Sequence, residues 1–138
     1  MSAVVLDAAA ALAWCFADGP GVAGDALLDR VARDGAVVPA VWHVELAELL
    51  LAAERNARMT AAQASAIVDS VGRLPISIEG VATPRHWNDA LHLARQHGLA
   101  VHDACYLDLA MRRRLPLATP VVELQRAARD SGVDLIEL

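Results

Sequence analysis

The feature that most limits how this chain can fold is an alternation of very short aliphatic runs with longer amphipathic helical patterns. Ala3–Leu6, Val37–Val38, Ile76–Glu79, Leu117–Thr119 and Val133–Glu137 have the composition of strands. Between them, apolar residues recur at helical spacing over Ala8–Phe16, Val22–Arg33, Ala40–Asn56, a segment from Thr60 to before Pro75, Thr83–His97, Asp103–Arg114 and Thr119–Asp130. Strands this short and this uniformly apolar suit a parallel sheet buried on both faces, which needs helices above and below it. The expectation is one domain over residues 1–138, a three-layer α/β/α sandwich with a short, mainly parallel central sheet. The punctuation agrees. Gly35 and Gly98 stand where helices must end in a left-handed residue, Thr60 and Gln63 form a capping box, and Thr83–Pro84 and Thr119–Pro120 read as cap-and-proline starts. Asp18–Gly24 and the region around Gly80 read as mobile loops.

Composition narrows the function classes. Hydrophobic residues make up 56% of the 138 residues and aromatics only 4%, so the core is expected to be Ala, Val and Leu. Cys15 and Cys105 have no metal-binding spacing and read as reduced thiols of an intracellular, cytoplasmic protein. The apolar start of the chain lacks a basic leader and is interrupted by Asp7, so it reads as a mature N-terminus, and no apolar run is long enough to span a membrane. A formal net charge of −5 argues against wholesale wrapping of nucleic acid. It leaves room for an enzyme that holds a phosphodiester through cations, which reverse the local sign of a site.

Acids at the ends of strands are the candidates for such a site. Asp7 follows the first strand, Asp103 precedes an apolar helix, and Glu45 lies about one turn into the helix Ala40–Asn56. In an open α/β sheet, ligands gather beyond the carboxyl ends of the strands. Asp7 and Asp103 could equally be helix caps, and Glu45 with Glu48 could lie on a solvent face. Clustered carboxylates call for a compensating oxygen-preferring cation such as Mg²⁺ or Mn²⁺. No dense His/Cys spacing points to zinc.

Three stretches give the acids a context. VVLDAAAALAW around Asp7, VPAVWHVELAELL around Glu45 and HGLAVHDACYLDLAMRRRLPLAT around Asp103 resemble the PIN-domain ribonucleases, particularly the toxins of VapBC-type toxin–antitoxin pairs. The resemblance spans nearly the whole chain. It implies an acidic pocket that binds Mg²⁺ or Mn²⁺ and cleaves RNA endonucleolytically, leaving a 5′-phosphate and a 3′-hydroxyl. Asp7 and Asp103 would be the principal metal ligands, and Glu45 would orient water or complete a second site. Asp108 falls at a further acidic position of the metal site, and Thr119 would position water. A cognate VapB-like antitoxin and a homodimer are also implied. The chain departs from the pattern at Val121, where an acid is usual, at Glu48, where Asn is common, and at Ala100 and His102, where hydroxyl side chains are familiar. Glu123 is an unpromising substitute for the missing acid, two residues further along the helix.

Other residues have plainer readings beside functional ones. Arg112–Arg114, Arg126 with Arg129, and Arg85 with His86 could contact phosphates or sit on solvated helix surfaces. Trp14, Trp42 and Trp87 read as core or interface groups, the first two near enough to the acids to wall a groove. Ala61, Ala64, Ile67, Val68 and Val71 could line a groove for a partner helix or belong to the core. The alternative to a nuclease is a catalytically degenerate module that binds RNA or protein, favoured by Val121. A phosphatase or small-molecule hydrolase is a third class, without a Gly-rich phosphate loop or a Ser/His/Asp series to support it.

Overall fold

Val4–Leu6 forms β1, and every one of its side chains is fully buried. Successive side chains of a strand point to opposite faces, so both faces of the sheet are covered here. The computed structural model describes residues 3–16, 22–79 and 83–138, without the side chains of Val22 and Ala23. The two expected loops, apart from Val22–Gly24, lie outside these residues. After β1 come α1 (Ala8–Ala11) and a 3-10 turn (Leu12–Trp14), then α2 (Val22–Asp34), β2 (Ala36–Val38), α3 (Trp42–Arg55) and α4 (Ala61–Val71). Next are β3 (Ile76–Ile78), α5 (Pro84–His97), α6 (Val101–Arg113), β4 (Leu117–Ala118) and α7 (Val122–Asp130). The strands make one sheet in the order β3-β2-β1-β4, all neighbours parallel. This is the expected three-layer α/β/α sandwich. Its core is mostly Ala, Val and Leu, with Trp42 and Tyr106 the largest fully buried side chains.

The expected caps are present at Thr60–Gln63, Thr83 and Gly98. Three expectations need correction. The helix expected over Ala8–Phe16 is α-helical only to Ala11 and tightens into the 3-10 turn. The strand expected over Val133–Glu137 reduces to a single parallel bridge between Leu117 and Leu135. The ladder stops there because the Thr119 carbonyl is occupied at 2.9 Å by the Gln125 side-chain amide, and Pro120 has no N–H. Finally, α7 begins after Val121 rather than at a Thr119 cap.

Gly35 turns α2 into β2 with φ +83°, and a Cβ added there would stand 3.1 Å from the Pro75 carbonyl oxygen. That region penalises any L side chain by about 1–2 kcal/mol before the crowding is counted. Gly35→Ala should therefore lower stability by at least about 1–2 kcal/mol, read as a lower urea midpoint at unchanged slope.

Because the sheet is parallel, the carboxyl ends of all four strands lie at one edge. The chain steps outward from β1 to β2 and β3, then returns to place β4 on the other side of β1. The crevice beyond β1 and β4 is thus the topological switch point, where open α/β sheets bind ligands.

Candidate active site

Asp7 and Thr119 end the two strands that flank the switch point, and they are bonded to each other. The Thr119 hydroxyl donates to Asp7 Oδ2 at 2.6 Å and accepts from the Val121 N–H at 3.1 Å. Asp7 Oδ1 accepts from the Ala9 N–H at 3.1 Å, so Asp7 caps α1 while also facing the crevice. Both side chains are almost wholly buried, Asp7 with 2% and Thr119 with 1% of its surface exposed. The Thr119 proton goes to Asp7 because a bond to a carboxylate is stronger than a neutral capping bond.

Glu45 and Asp103 join Asp7 around a cleft of about 720 Å³. Each lies in the first turn of its helix, α3 or α6, and Asp7 is the N-cap of α1. The positive ends of three helix dipoles therefore meet the three acids. Asp103 is not a cap, since α6 opens after Ala100 with no side-chain capping bond. Glu45 is not on a solvent face either: its Oε2 accepts from the Tyr106 hydroxyl at 3.3 Å, and its Oε1 is buried without a hydrogen-bond partner among the described residues. Glu48 lines the same cleft and is exposed. Val121 lines it as well and leaves that wall apolar.

Burial raises the pKa of all three acids above the ordinary carboxylate range. Mutual repulsion adds to this, since the Asp7 charge raises both Glu45 and Asp103, and Glu123 also raises Asp103. His102, whose Nε2 stands 3.5 Å from Asp103 Oδ1, pulls the three downward in part. Among the described residues, no three His, Cys, Asp or Glu side chains stand close enough together to hold a metal ion as placed. The donor set is nonetheless all carboxylate, which is the chemistry of Mg²⁺ or Mn²⁺, and the orphaned Glu45 Oε1 is an oxygen that lacks a positive partner.

The structure does not bring Asp108 to this cleft. Its carboxylate is bound at 2.9 Å by Arg112 and faces a neighbouring hollow. Arg112 and Arg113 both bond to Glu79, at 3.0 and 2.7 Å. Arg114, Arg126 and Arg129 are exposed. Of the tryptophans, Trp42 is core, Trp14 is half-buried and Trp87 is 70% exposed. On α4, Val71 is buried, Ala64 and Ile67 are half-buried, and Ala61 and Val68 are exposed.

Sequence reasoning missed Tyr106. Its hydroxyl accepts from the Ala8 N–H at 3.4 Å and donates to Glu45, tying β1–α1 to α3 from within α6. Burial and the nearby Glu45 and Asp7 charges push its pKa well up, so it stays protonated and acts as a donor. The signal was available: this is the single Tyr of the chain, one helical turn from Asp103 in an apolar stretch, and a buried phenol needs an acceptor. Tyr106→Phe should cost about 0.5–1.5 kcal/mol in urea unfolding. It should also raise the Glu45 pKa further, moving the acid limb of any Glu45-dependent activity to higher pH.

No protein-family profile matches the chain, and no curated protein sequence matches it. Among solved structures, it is similar to PAE2754 from Pyrobaculum aerophilum, with a TM-score of 0.73 and 21% identity over 98% of this chain and 90% of that one. It is also similar to FitAcB from Neisseria gonorrhoeae, with a TM-score of 0.64 and 15% identity over 97% of this chain and 96% of the other. These likenesses establish the class of fold: a three-layer α/β/α sandwich with a parallel central sheet, as expected from the sequence. No helix among the described residues is long and apolar enough to cross a membrane.

Proposed function

We propose that this protein is a Mg²⁺- or Mn²⁺-dependent endoribonuclease, the toxin of a toxin–antitoxin pair. The observation that carries the reading is the convergence of Asp7, Glu45 and Asp103, from three separate segments, on one cleft at the switch point of the sheet. Buried acids that repel one another cost stability, and a site that binds a cation is a reason to keep them. Asp7, Asp103 and Glu45 would hold the metal, which when bound supplies Lewis-acid stabilisation of the phosphate oxygens and acidifies water.

The chain's own residues do the rest. Thr119 and the Ala9 N–H hold the Asp7 carboxylate in one orientation. Tyr106 holds Oε2 of Glu45, and the buried Oε1 is left without a protein partner among the described residues. Glu45, with its raised pKa, would orient the attacking water and take its proton. In-line attack on phosphorus then breaks the bond to the 3′ oxygen, leaving a 5′-phosphate and a 3′-hydroxyl. Asp108, tied to Arg112, would support α6 rather than contact the metal.

A second reading has its own observation. Val121 gives the cleft an apolar wall where the resemblance expects an acid, as in a module that binds RNA or protein without cleaving. Total RNA incubated with Mn²⁺ and either wild type or Asp103→Asn separates the two. Cleavage at defined sites by wild type, lost in the variant and in EDTA, supports the nuclease. Intact RNA throughout supports the binding module. The VapB-like antitoxin and the homodimer belong to the nuclease reading. A short open reading frame directly upstream whose product co-purifies with this chain and stops cleavage is the expected result.

A further inference from the structure

The acidic cleft has a neighbour with different chemistry. Beyond the ends of β2 and β3 lies a hollow of about 110 Å³, walled by Ala40 and Val41, which also line the cleft, and by Glu79, Trp87 and Arg112. It is well below the roughly 300 Å³ of a pocket that engulfs a ligand, so an occupant lies on it rather than in it. The surface it offers is the indole of Trp87, 70% exposed on the first turn of α5. Arg112 is pinned beside it, its Nε held by Asp108 and its Nη1 by Glu79, and Arg113 is held by the same Glu79. Two cations and two carboxylates leave this floor near neutral, without the repulsion that the acidic cleft presents to phosphate. Two residues before Trp87, Arg85 has a side chain that is 88% exposed, its Nε 4.0 Å from Asp89 Oδ2.

A flat, exposed aromatic beside guanidinium groups, continuous with a site for phosphodiester chemistry, is the equipment for stacking an unpaired base. We infer that Trp87 is the stacking platform for a single-stranded nucleotide next to the scissile phosphate. This rests on the nuclease reading for the scissile phosphate only; the platform itself binds RNA whether or not cleavage follows. A duplex keeps its bases stacked on one another and cannot offer a face to the indole.

The test uses the full-length protein, a fluorescein-labelled single-stranded oligoribonucleotide of mixed sequence, and the same strand annealed to its complement. Binding is measured in EDTA, so that no cleavage intervenes, and Trp87→Ala and Trp87→Phe are compared with wild type. Trp87→Ala is expected to weaken single-strand binding by about 5- to 100-fold, with Trp87→Phe close to wild type and duplex binding unmoved. Melting temperatures of the variants should match wild type, because the indole is mostly exposed. Single-strand affinity unchanged in Trp87→Ala overturns the proposal. So does a loss of affinity that accompanies a fall in oligomeric state by light scattering, which would make Trp87 a protein–protein contact. The two readings fail separately. Metal-dependent cleavage that ignores Trp87 leaves the nuclease and removes the platform, and Trp87-dependent binding without cleavage does the reverse.

Discussion

Replacing Asp103 with Asn is expected to abolish RNA cleavage, by about 10²-fold or more, while making the metal-free protein more stable at pH 8. The two effects have one origin. Asp7, Glu45 and Asp103 all have pKa values raised by burial, and the charges of neighbouring acids raise Glu45 and Asp103 further. A carboxyl whose folded-state pKa exceeds its unfolded value of about 4 contributes stability that is full below that value. The contribution is lost as pH rises through the raised folded pKa. Metal-free wild type should therefore melt at a higher temperature near pH 5 than at pH 8. Asp103→Asn keeps the side chain's shape and removes one of three like charges, so its melting temperature should depend less on pH. At pH 8 it should exceed that of wild type by roughly 3–5 °C, equivalent to about 1 kcal/mol at this chain length. Mg²⁺ should raise the melting temperature of wild type at pH 8 and do much less for the variant, since a ligand stabilises only the state that binds it. Scanning calorimetry in EDTA and in Mg²⁺ at both pH values reads all four quantities. A variant that is less stable than wild type at pH 8 and equally responsive to Mg²⁺ would remove the case for a carboxylate metal centre.

The largest loss of stability is expected from Trp42→Ala, at about 3–5 kcal/mol. Trp42 is fully buried at the start of α3, one turn before Glu45. Deleting it leaves a cavity under the helix that carries a site acid, and a domain with about 5–15 kcal/mol in hand is then close to unfolding at 37 °C. Its indole N–H is buried without a hydrogen-bond partner among the described residues, so its removal forfeits no bond. Trp42→Phe, which gives up that N–H and little of the volume, should accordingly cost far less than Trp42→Ala. Urea denaturation of the pair separates packing from polarity. Equal losses in the two variants would show that an indole-specific contact matters here, rather than volume.

How far the sequence led can be judged residue by residue. Short aliphatic runs between amphipathic helices were enough for a parallel sheet whose β1, β2 and β4 are buried on both faces, while the edge strand β3 leaves Ile78 54% exposed. Asp7 was legible as both cap and site acid, since a residue leaving a central strand is placed by the strand itself. Thr119 was harder. Its position before Pro120 has the form of a helix start, and only the fold reveals a carboxylate at 2.6 Å from its hydroxyl. Val133–Glu137 has strand composition, but pairing depends on what its neighbour offers, and β4 offers one residue. Trp87 stayed open between core and interface, because nothing local distinguishes Trp42, with no exposed surface, from a tryptophan left 70% exposed. Asp108 shares a helix with Asp103, yet five residues of helical rotation carry it round to Arg112.

The bond between Thr119 and Asp7 also sets when the cleft can first be complete. Its partners are 112 residues apart, so a ribosome makes Asp7 long before Thr119. β1 emerges before β2, β3 and β4 and lies inside the sheet, but it lacks its β4 neighbour until the segments between them have been translated. A nascent chain can pair β1 with β2 and β3 while its central acid still lacks Thr119 on one side and Asp103 on the other. Completion of the cleft thereby waits for synthesis of β4 and Thr119, and a fragment ending before β4 would carry Asp7 and Glu45 without a finished site.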